Sequence, residues 1–425
     1  MVDSRNKALV VGAGVGGLVA AAALASHFEQ VVVIEKDTLP DSAQSRKGVG
    51  QGSHLHSLLL GGKQILEQFF PGLSDDLRAA GSNVIRAGVD QQIHEYGVWL
   101  PQRDLGYDIY TQSRYLLEQV IRERVNKIDN ITISDDIHVD SLILDENAIL
   151  GAHAHRRGGG DIDLHADIVI DASGRGGKFV NQLAKTLDGL DTMDTIQSNI
   201  IYASAFIKKP KKWRDHKENI LIIAEPDKMA GGALIDIEDD HWCVSLHGRN
   251  GLVPPKNIDD WIEFAKSLSN DRIASRLTDA QAEDQEMKGV FIFKKPLSTW
   301  RRFDKAPTVP MNYFPLGDVI NSINPTFGQG MTMAFSHCLA LDKALNESSP
   351  AEVQKDYIKK ACEYSSKAWR VCAAYDASFK QDDEKSQRNF EIMRSLSLKR
   401  QEQAIENIDV HRKLFETAQM ISAFG

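Results

Sequence analysis

Glycines at 12, 14 and 17 are spaced G-x-G-x-x-G, and an acid follows at Glu35. That spacing turns the chain sharply and lets backbone N–H groups approach an anion. It also opens a helix whose N-terminus favours a pyrophosphate. An acid about 20 residues further on is placed to hold a ribose 2′-hydroxyl. A second grouping lies in "FPLGDVINSINPTFGQGM", residues 314–331. Gly317 and Asp318 end an apolar run there, and Gly328, Gly330 and Met331 lead into a helical segment. An Asp at a strand end can accept a hydrogen bond from a ribityl or ribose hydroxyl, and glycines permit close backbone approach. The plain alternative is a Gly-rich turn before a helix. His54 and His56 flank Leu55, so on a strand they would share one face. They can line the ligand pocket or hydrogen-bond within a loop. No third ligand stands close in sequence, so no metal site is expected. Arg46 can reach a phosphate or remain a solvated loop charge.

These residues need elements to position them. "KALVVGAG" reads as a short buried strand, "GLVAAAALASHF" as an Ala-rich helix, and "QVVVIEKD" as a second strand ending at Glu35. Together they form the βαβ unit of a dinucleotide site. Residues 8–26, after Arg5 and Lys7, also have the make-up of a secretory signal peptide. That reading leaves "QVVVIEKD" unexplained, and retention of the segment is expected. The ribose acid suits NAD and FAD alike.

A chain of 425 residues suggests two or three domains. Its net charge of −9 and lack of Lys/Arg runs give no sign of nucleic-acid binding. Four scattered cysteines provide neither a disulfide framework nor C-x-x-C, which fits a reducing compartment and a cytoplasmic location. Outside residues 8–26 no apolar stretch is long enough to span a bilayer. Residues 41–53 read as a polar loop, "HLHSLLLGGKQILEQFF" as a helix, and 113–125 as another. A strand meander follows at 131–165 and leads to "IDLHADIVIDASG". Residues 186–300 read as a separate, mainly antiparallel sheet with one inserted helix at about 257–269, and the chain from 331 onward as helical. The apolar positions Ile200, Ile201, Phe206, Leu221, Ile222, Val290 and Phe291 suggest a dry, mostly apolar roof over a pocket. Trp213, Trp242, Phe291 and Phe293 are expected in the core, and "DDEK" at 382–385 on a solvated surface.

The segments "VVGAGVGGL…VVVIEKD", "DIVIDASGRGG" and "FPLGDVINSINPTFGQGM" resemble the three FAD fingerprints of flavoprotein monooxygenases related to para-hydroxybenzoate hydroxylase. The resemblance covers most of residues 1–345. "RKGVGQGSHLHSLLLGG", "SRYLLEQVIRERV" and the helical tail are similar to a bacterial subgroup of FAD-dependent monooxygenases and epoxidases, many of them in secondary metabolism.

The resemblance implies an α/β fold: a Rossmann-like FAD-binding domain of the glutathione reductase type, an antiparallel-sheet substrate domain and a helical C-terminal extension. The FAD-binding domain would be discontinuous, over 1–82, 108–185 and 301–345. The substrate domain would take 83–107 and 186–300, and the helical region 346–425. By position, Gly12, Gly14, Val15, Gly16 and Gly17 would lie along the FAD pyrophosphate. Glu35 would hold the adenosine ribose, with Lys36 beside it. Arg114 would sit near the flavin and its phosphates. Val139, or its neighbour His138, would meet the adenine. Asp171, Gly174 and Arg175 match a motif that touches FAD and reduced nicotinamide. Asp318 would bind the ribityl chain, and Gly328, Gly330 and Met331 would face the isoalloxazine. The implied activity consumes NAD(P)H and O₂ on non-covalently bound FAD. Oxygen would add at flavin C4a, and one atom would pass to a mostly apolar small organic substrate by hydroxylation or epoxidation. No catalytic side chain is assigned, since the cofactor carries the hard chemistry. His54 and His56 remain pocket candidates.

The middle motif, "DASGRGG", departs from the D-G-x-x-S-x-x-R of better-known hydroxylases, which affects the nicotinamide role of Arg175. No second G-x-G-x-x-G marks a separate NAD(P)H domain, and "GVWLP" lacks the first Trp and the Ile of the halogenase W-x-W-x-I-P. Three rivals share the fold: a Baeyer–Villiger variant, a reductase or desaturase of the geranylgeranyl-reductase kind, and a non-catalytic escort protein. The intact glycines, Glu35 and Asp318 speak against the escort protein.

Overall fold

A computed structural model describes residues 5–380, 384–421 and 423–424 of the chain. Lys7–Val11 is the central strand of a five-stranded parallel sheet, so the segment that could pass for a signal peptide is built into the core. The strand order is Tyr313–Pro315, Ile168–Asp171, Lys7–Val11, Gln30–Ile34, Ile131–Ser134. Parallel strands are covered on both faces, which is why "ALVV" and "VVVI" run apolar without alternation. The helix Val15–Ala25 is buried almost all round, and its Ala-rich composition lets it lie close between this sheet and Gly330–Glu347. A three-stranded antiparallel meander, Ile137–Asp145, Ala148–Arg156 and Asp161–His165, precedes the Ile168–Asp171 strand.

The second sheet has eight strands. Two long strands dominate it, Met193–Lys208 and Met287–Arg301, each extending well past its apolar stretch. Gln91–Glu95 joins it by pairing parallel with Asn219–Ile222, while Asn83–Arg86 instead pairs with Asp108–Thr111 in a separate ribbon. Where one inserted helix is expected there are two, Ile258–Ala265 and Arg272–Ala282. They cover the outer face, where Ala203, Ala205, Ile207, Val244, Leu246 and Trp261 form a core. The expected helix from residue 54 begins only at Leu60. Its first N–H groups are capped from the far end of the chain: Leu60 N–H donates to Gln419 Oε1 (3.1 Å) and Gly61 N–H to the Gln419 carbonyl (2.9 Å).

The C-terminal region forms the helices Val353–Ser378, Glu384–Glu406 and Ile408–Ala418. Of the acidic run expected on a solvated surface, Asp382 and Asp383 lie outside the described residues and Glu384 is exposed. No helix among the described residues is long and apolar enough to cross a membrane.

Candidate cofactor and substrate cavity

One cavity of about 860 Å³ runs between the two sheets. Gly12, Gly14, Val15, Gly16, Gly17, Glu35, Lys36, Arg46, Arg114, Val139, Gly174, Gly317, Asp318, Gly328, Gly330 and Met331 all line it, as do His54 and His56. The sequence scatters these residues over more than 300 positions, and the parallel sheet gathers them at the carboxyl ends of its strands.

At one end the wall is mainly backbone. Gly12 has φ +110°, and a Cβ there would lie 2.6 Å from the Ala172 carbonyl oxygen. A Cβ at Gly17 would come within 1.9 Å of the Gly12 carbonyl oxygen. These two glycines therefore close the turn itself. Gly14 and Gly330 differ, because a Cβ at either would meet nothing within 4 Å. Each precedes or opens a helix with no side-chain cap, Val15–Ala25 and Gly330–Glu347. Two helix N-termini with free N–H groups thus face the cavity, an arrangement suited to negative charge.

Glu35 is buried at the end of the Gln30–Ile34 strand. It accepts from Ala13 N–H (2.8 Å), Lys36 N–H (2.9 Å) and Asp37 N–H (3.1 Å), which ties the second strand to the glycine turn. Arg46 lines the cavity, but its guanidinium is engaged elsewhere than the expected phosphate. It pairs with Glu35 (3.1 Å), Asp37 (3.2 Å) and Glu118 (2.7 Å) and donates to the Ala13 carbonyl (3.1 Å). Three clustered carboxylates, two of them buried, cannot stand together uncompensated, so this arginine serves as a strut beneath the turn. Arg114 is buried, pairs with Glu118 (2.9 Å), and has its Nη1 without a partner. Burial pushes its pKa down. Val139 gives its carbonyl to Lys178 Nζ (2.8 Å), which also contacts His138. Asp171 is not a lining residue. It is fully buried and accepts from Ser173 and Tyr313.

Asp318 is half-buried, and its carboxylate has no hydrogen bond or ion pair among the described residues. Burial pushes its pKa up, opposed by the charges of Lys295 and Arg175. His337, which sequence reading did not single out, holds this turn. Its Nδ1 accepts from Gly317 N–H (3.1 Å), so its Nε2–H donates to Ser365 (3.0 Å). A histidine inside the apolar "MTMAFSHCLALDKAL" was the available signal.

The other end of the cavity is the inner face of the eight-stranded sheet. Strand alternation places Tyr202, Ser245, His247, Phe293 and Lys295 here, with Leu221 and Ile222 beside them. This corrects the expected apolar roof. Of the seven apolar residues named for it, only Leu221 and Ile222 line the cavity. The sheet's small and branched apolar side chains turn mostly to the two covering helices. Phe291 is exposed (41%), while Phe293 lines the cavity under Arg175, 4.7 Å from its ring centroid. Trp242 is in the core and Trp213 packs at its edge, its indole N–H on Asp279 (2.9 Å). His54 and His56 sit in a loop rather than on a strand. His54 Nδ1 contacts Ser204 Oγ (2.8 Å) and His56 Nδ1 contacts the His54 carbonyl (2.9 Å). Burial holds both near pKa 4 and His247 near 3, so all three are neutral at pH 7. Among the described residues no group of three His, Cys, Asp or Glu could hold a metal.

Comparison with known proteins agrees with this geometry. The family model described as "FAD binding domain" matches residues 5–370. The chain belongs to this FAD-binding family. Its three fingerprints and its fold make it an FAD-dependent monooxygenase of the para-hydroxybenzoate hydroxylase-like class. It is similar to Protein Rv3254 of Mycobacterium tuberculosis, at 29% identity over 89% of this chain and 81% of that protein. It is also similar to squalene epoxidase 5 of Arabidopsis thaliana, at 24% identity over 82% of this chain and 63% of the plant protein. In fold it is similar to the flavin-dependent brominase Bmp2, with a TM-score of 0.70 at 15% identity over 99% and 95% of the two chains.

The residues present fit FAD. The unpartnered Arg114 Nη1 and the two uncapped helix ends suit its phosphates and the electron-rich edge of its ring system. The free Asp318 carboxylate suits a ribityl hydroxyl. Gly14 and Gly330 leave room where a ligand must approach the backbone.

Proposed function

We propose that the protein inserts one oxygen atom from O₂ into a small, largely apolar organic molecule, by hydroxylation or epoxidation, at the expense of NAD(P)H. FAD, when bound, would supply hydride acceptance from NAD(P)H and activation of O₂, with one oxygen atom going to substrate and the other leaving as water. The chain's own residues bind, orient and exclude water. Gly12, Gly14, Val15, Gly16 and Gly17, with Arg114, hold the pyrophosphate. Glu35 and Lys36 serve the adenosine ribose, Val139 the adenine, Gly174 the stretch between FAD and the nicotinamide, and Asp318 the ribityl chain. Gly317, Gly328, Gly330 and Met331 border the isoalloxazine, and Arg46 acts through Glu35. In this reading residues 1–82, 108–185 and 301–345 bind FAD, 83–107 and 186–300 bind substrate, and 346–425 brace both. Four unpaired cysteines suit a reducing cytoplasm.

One observation carries this reading. One cavity joins the glycine-lined anion end to a wall on the second sheet where apolar side chains, hydroxyls and neutral imidazoles stand with Lys295. A cofactor and an organic molecule can therefore meet in one space, where exclusion of water by the bound molecules protects the oxygen transfer. The relation to squalene epoxidase 5 supports oxygen transfer to an apolar molecule. The test is NADH and NADPH oxidation by holoprotein against a panel of apolar substrates under labelled O₂. Substrate-stimulated flavin reduction with one labelled atom in product is expected. Product formed without label would sink the reading in favour of hydride transfer.

A further inference from the structure

The wall opposite the cofactor end has a hydrogen-bonding polarity of its own. Strand register sets Phe293, Tyr202, His247 and Gly231 side by side in one rung. The next rung on the same face is Ser204, Ser245, Ala233 and Leu221. Beyond it, Phe206, Cys243 and Ile235 pack with Leu55 and close the polar strip. Only glycine fits beside His247, since a Cβ at Gly231 would lie 2.6 Å from the imidazole.

The proton positions on this strip follow from its partners. Ser204 Oγ donates to Ser245 Oγ (2.8 Å), which uses its one proton. His54 Nδ1 must therefore donate to Ser204 Oγ (2.8 Å), and its Nε2 keeps a bare lone pair. His56 Nδ1 meets the His54 carbonyl, which can only accept (2.9 Å). So His56 Nε2 also keeps a lone pair. Tyr202 spends its one proton within the Asn324 Oδ1 (3.1 Å) and Thr326 Oγ1 (3.0 Å) pair and offers only its oxygen. Neither Nε2 has a protein partner among the described residues. Both imidazoles are neutral at pH 7 because burial depresses their pKa. The ammonium of Lys295 is occupied by Ser322 Oγ (2.7 Å) and the Ser322 carbonyl (3.1 Å).

A buried acceptor left without a donor is unfavourable, and the two Nε2 lone pairs disfavour a carboxylate at the His54 end of the strip, while the Arg175 guanidinium stands further along it, over Phe293 (4.7 Å). We propose that this wall selects an uncharged, mainly apolar molecule bearing a hydroxyl, whose O–H donates to His54 Nε2. The proposal rests on the monooxygenase reading only in taking the molecule bound here to be the substrate. Tyr202 also contacts Thr326 (3.0 Å) in the loop that borders the proposed isoalloxazine position. A hydroxyl anchored at His54 therefore fixes which part of the skeleton faces the oxygen source, making His54 a specificity-determining residue.

The experiment is binding, not turnover, so it stands apart from the test of the monooxygenase reading. FAD-loaded protein is titrated with two matched sets, naphthalene, 1-naphthol and 1-naphthoate, and octane, octan-1-ol and octanoate. Perturbation of the flavin spectrum reports binding. In at least one set the alcohol is expected to bind about tenfold more tightly than the hydrocarbon and the carboxylate. His54→Asn keeps a donor for Ser204 but deletes Nε2, and should abolish that preference. His54→Gln places an acceptor near the Nε2 position and should restore part of it. Equal binding of alcohol and hydrocarbon, preference for the carboxylate, no binding by any member, or an unchanged preference in His54→Asn would each overturn the proposal.

Discussion

The two ends of the cavity are built on opposite electrical principles. The glycine-lined end uses backbone N–H groups, helix termini and full charges: Arg46 and Arg114 share Glu118, and Glu35 anchors the turn. The sheet end uses mainly neutral imidazoles and hydroxyls, with the ammonium of Lys295 tied to Ser322. An end that holds an anionic cofactor permanently can afford fixed charge. An end that must admit and release an organic molecule is better served by weak, directional groups. This contrast generates the predictions, largest effect first.

Arg46→Ala should be the most damaging single change. It leaves the buried Glu35, Glu118 Oε1 and the partly buried Asp37 without their shared cation, at a cost of about 3–5 kcal/mol. Denaturant unfolding of FAD-free protein should show this loss. If Arg46 served mainly as a phosphate ligand, the apo-protein would be indifferent and only FAD affinity would fall.

The glycines divide next. Gly17→Ala forces a methyl onto the Gly12 carbonyl and should cost about 3 kcal/mol or more, with no FAD retained. Gly14→Ala has ordinary φ and open space ahead of it, so apo-protein stability should be unchanged. Its methyl enters the cavity, and FAD affinity should fall at least about tenfold. Equal melting-temperature losses in the two variants would erase the distinction between turn-closing and ligand-facing glycines.

The same division explains what was legible in the sequence. Gly12, Gly14, Gly17, Glu35 and Asp318 are dictated by backbone geometry at fixed local spacing, so a linear pattern reveals them. Tyr202, Ser245 and His247 acquire meaning only when strands far apart in sequence pair in register. Their period-two alternation was visible in "NIIYASAFI" and "HWCVSLHG". The apolar partners between them drew attention instead, and the second covering helix that claims those partners was missed. The sequence offers Arg46 only as a phosphate contact or a loop charge, because its three carboxylates come from separate elements. His54 and His56 line the cavity from a loop, where their spacing has no face to share.

Asp318→Ala should leave the fold intact, since no protein group depends on its carboxylate. It removes one charge-assisted hydrogen bond to FAD, worth roughly 1.5–3 kcal/mol, or about tenfold to a hundredfold in affinity. Equilibrium dialysis of FAD against parent and variant measures this directly, and undiminished retention would show that Asp318 faces something else.

The smallest effect tests the neutral end by pH. An unfolded histidine titrates near 6.5, whereas burial holds His54 near 4 in the folded chain. Because the folded pKa is the lower one, the unfolded chain takes up a proton first as pH falls. Stability is therefore whole above pH 6.5 and is lost progressively as pH drops from there toward about 4. Between pH 7 and pH 6 one such histidine costs on the order of 0.5 kcal/mol. His56 and His247 add to the same slope in the same direction. The arginines of the other end do not titrate in this window, but His337 beside Gly317, held near 3, and His411, held near 4, act in the same direction, so His54 supplies one share of the acid sensitivity among several. His54→Asn should lower the pH 7 to pH 6 loss by one histidine's share, whatever its absolute stability, in urea unfolding of apo-protein at the two pH values. A variant with the parent's slope would mean that His54 titrates normally in the folded chain, and the contrast between a charged cofactor end and a neutral substrate end would lose its main support.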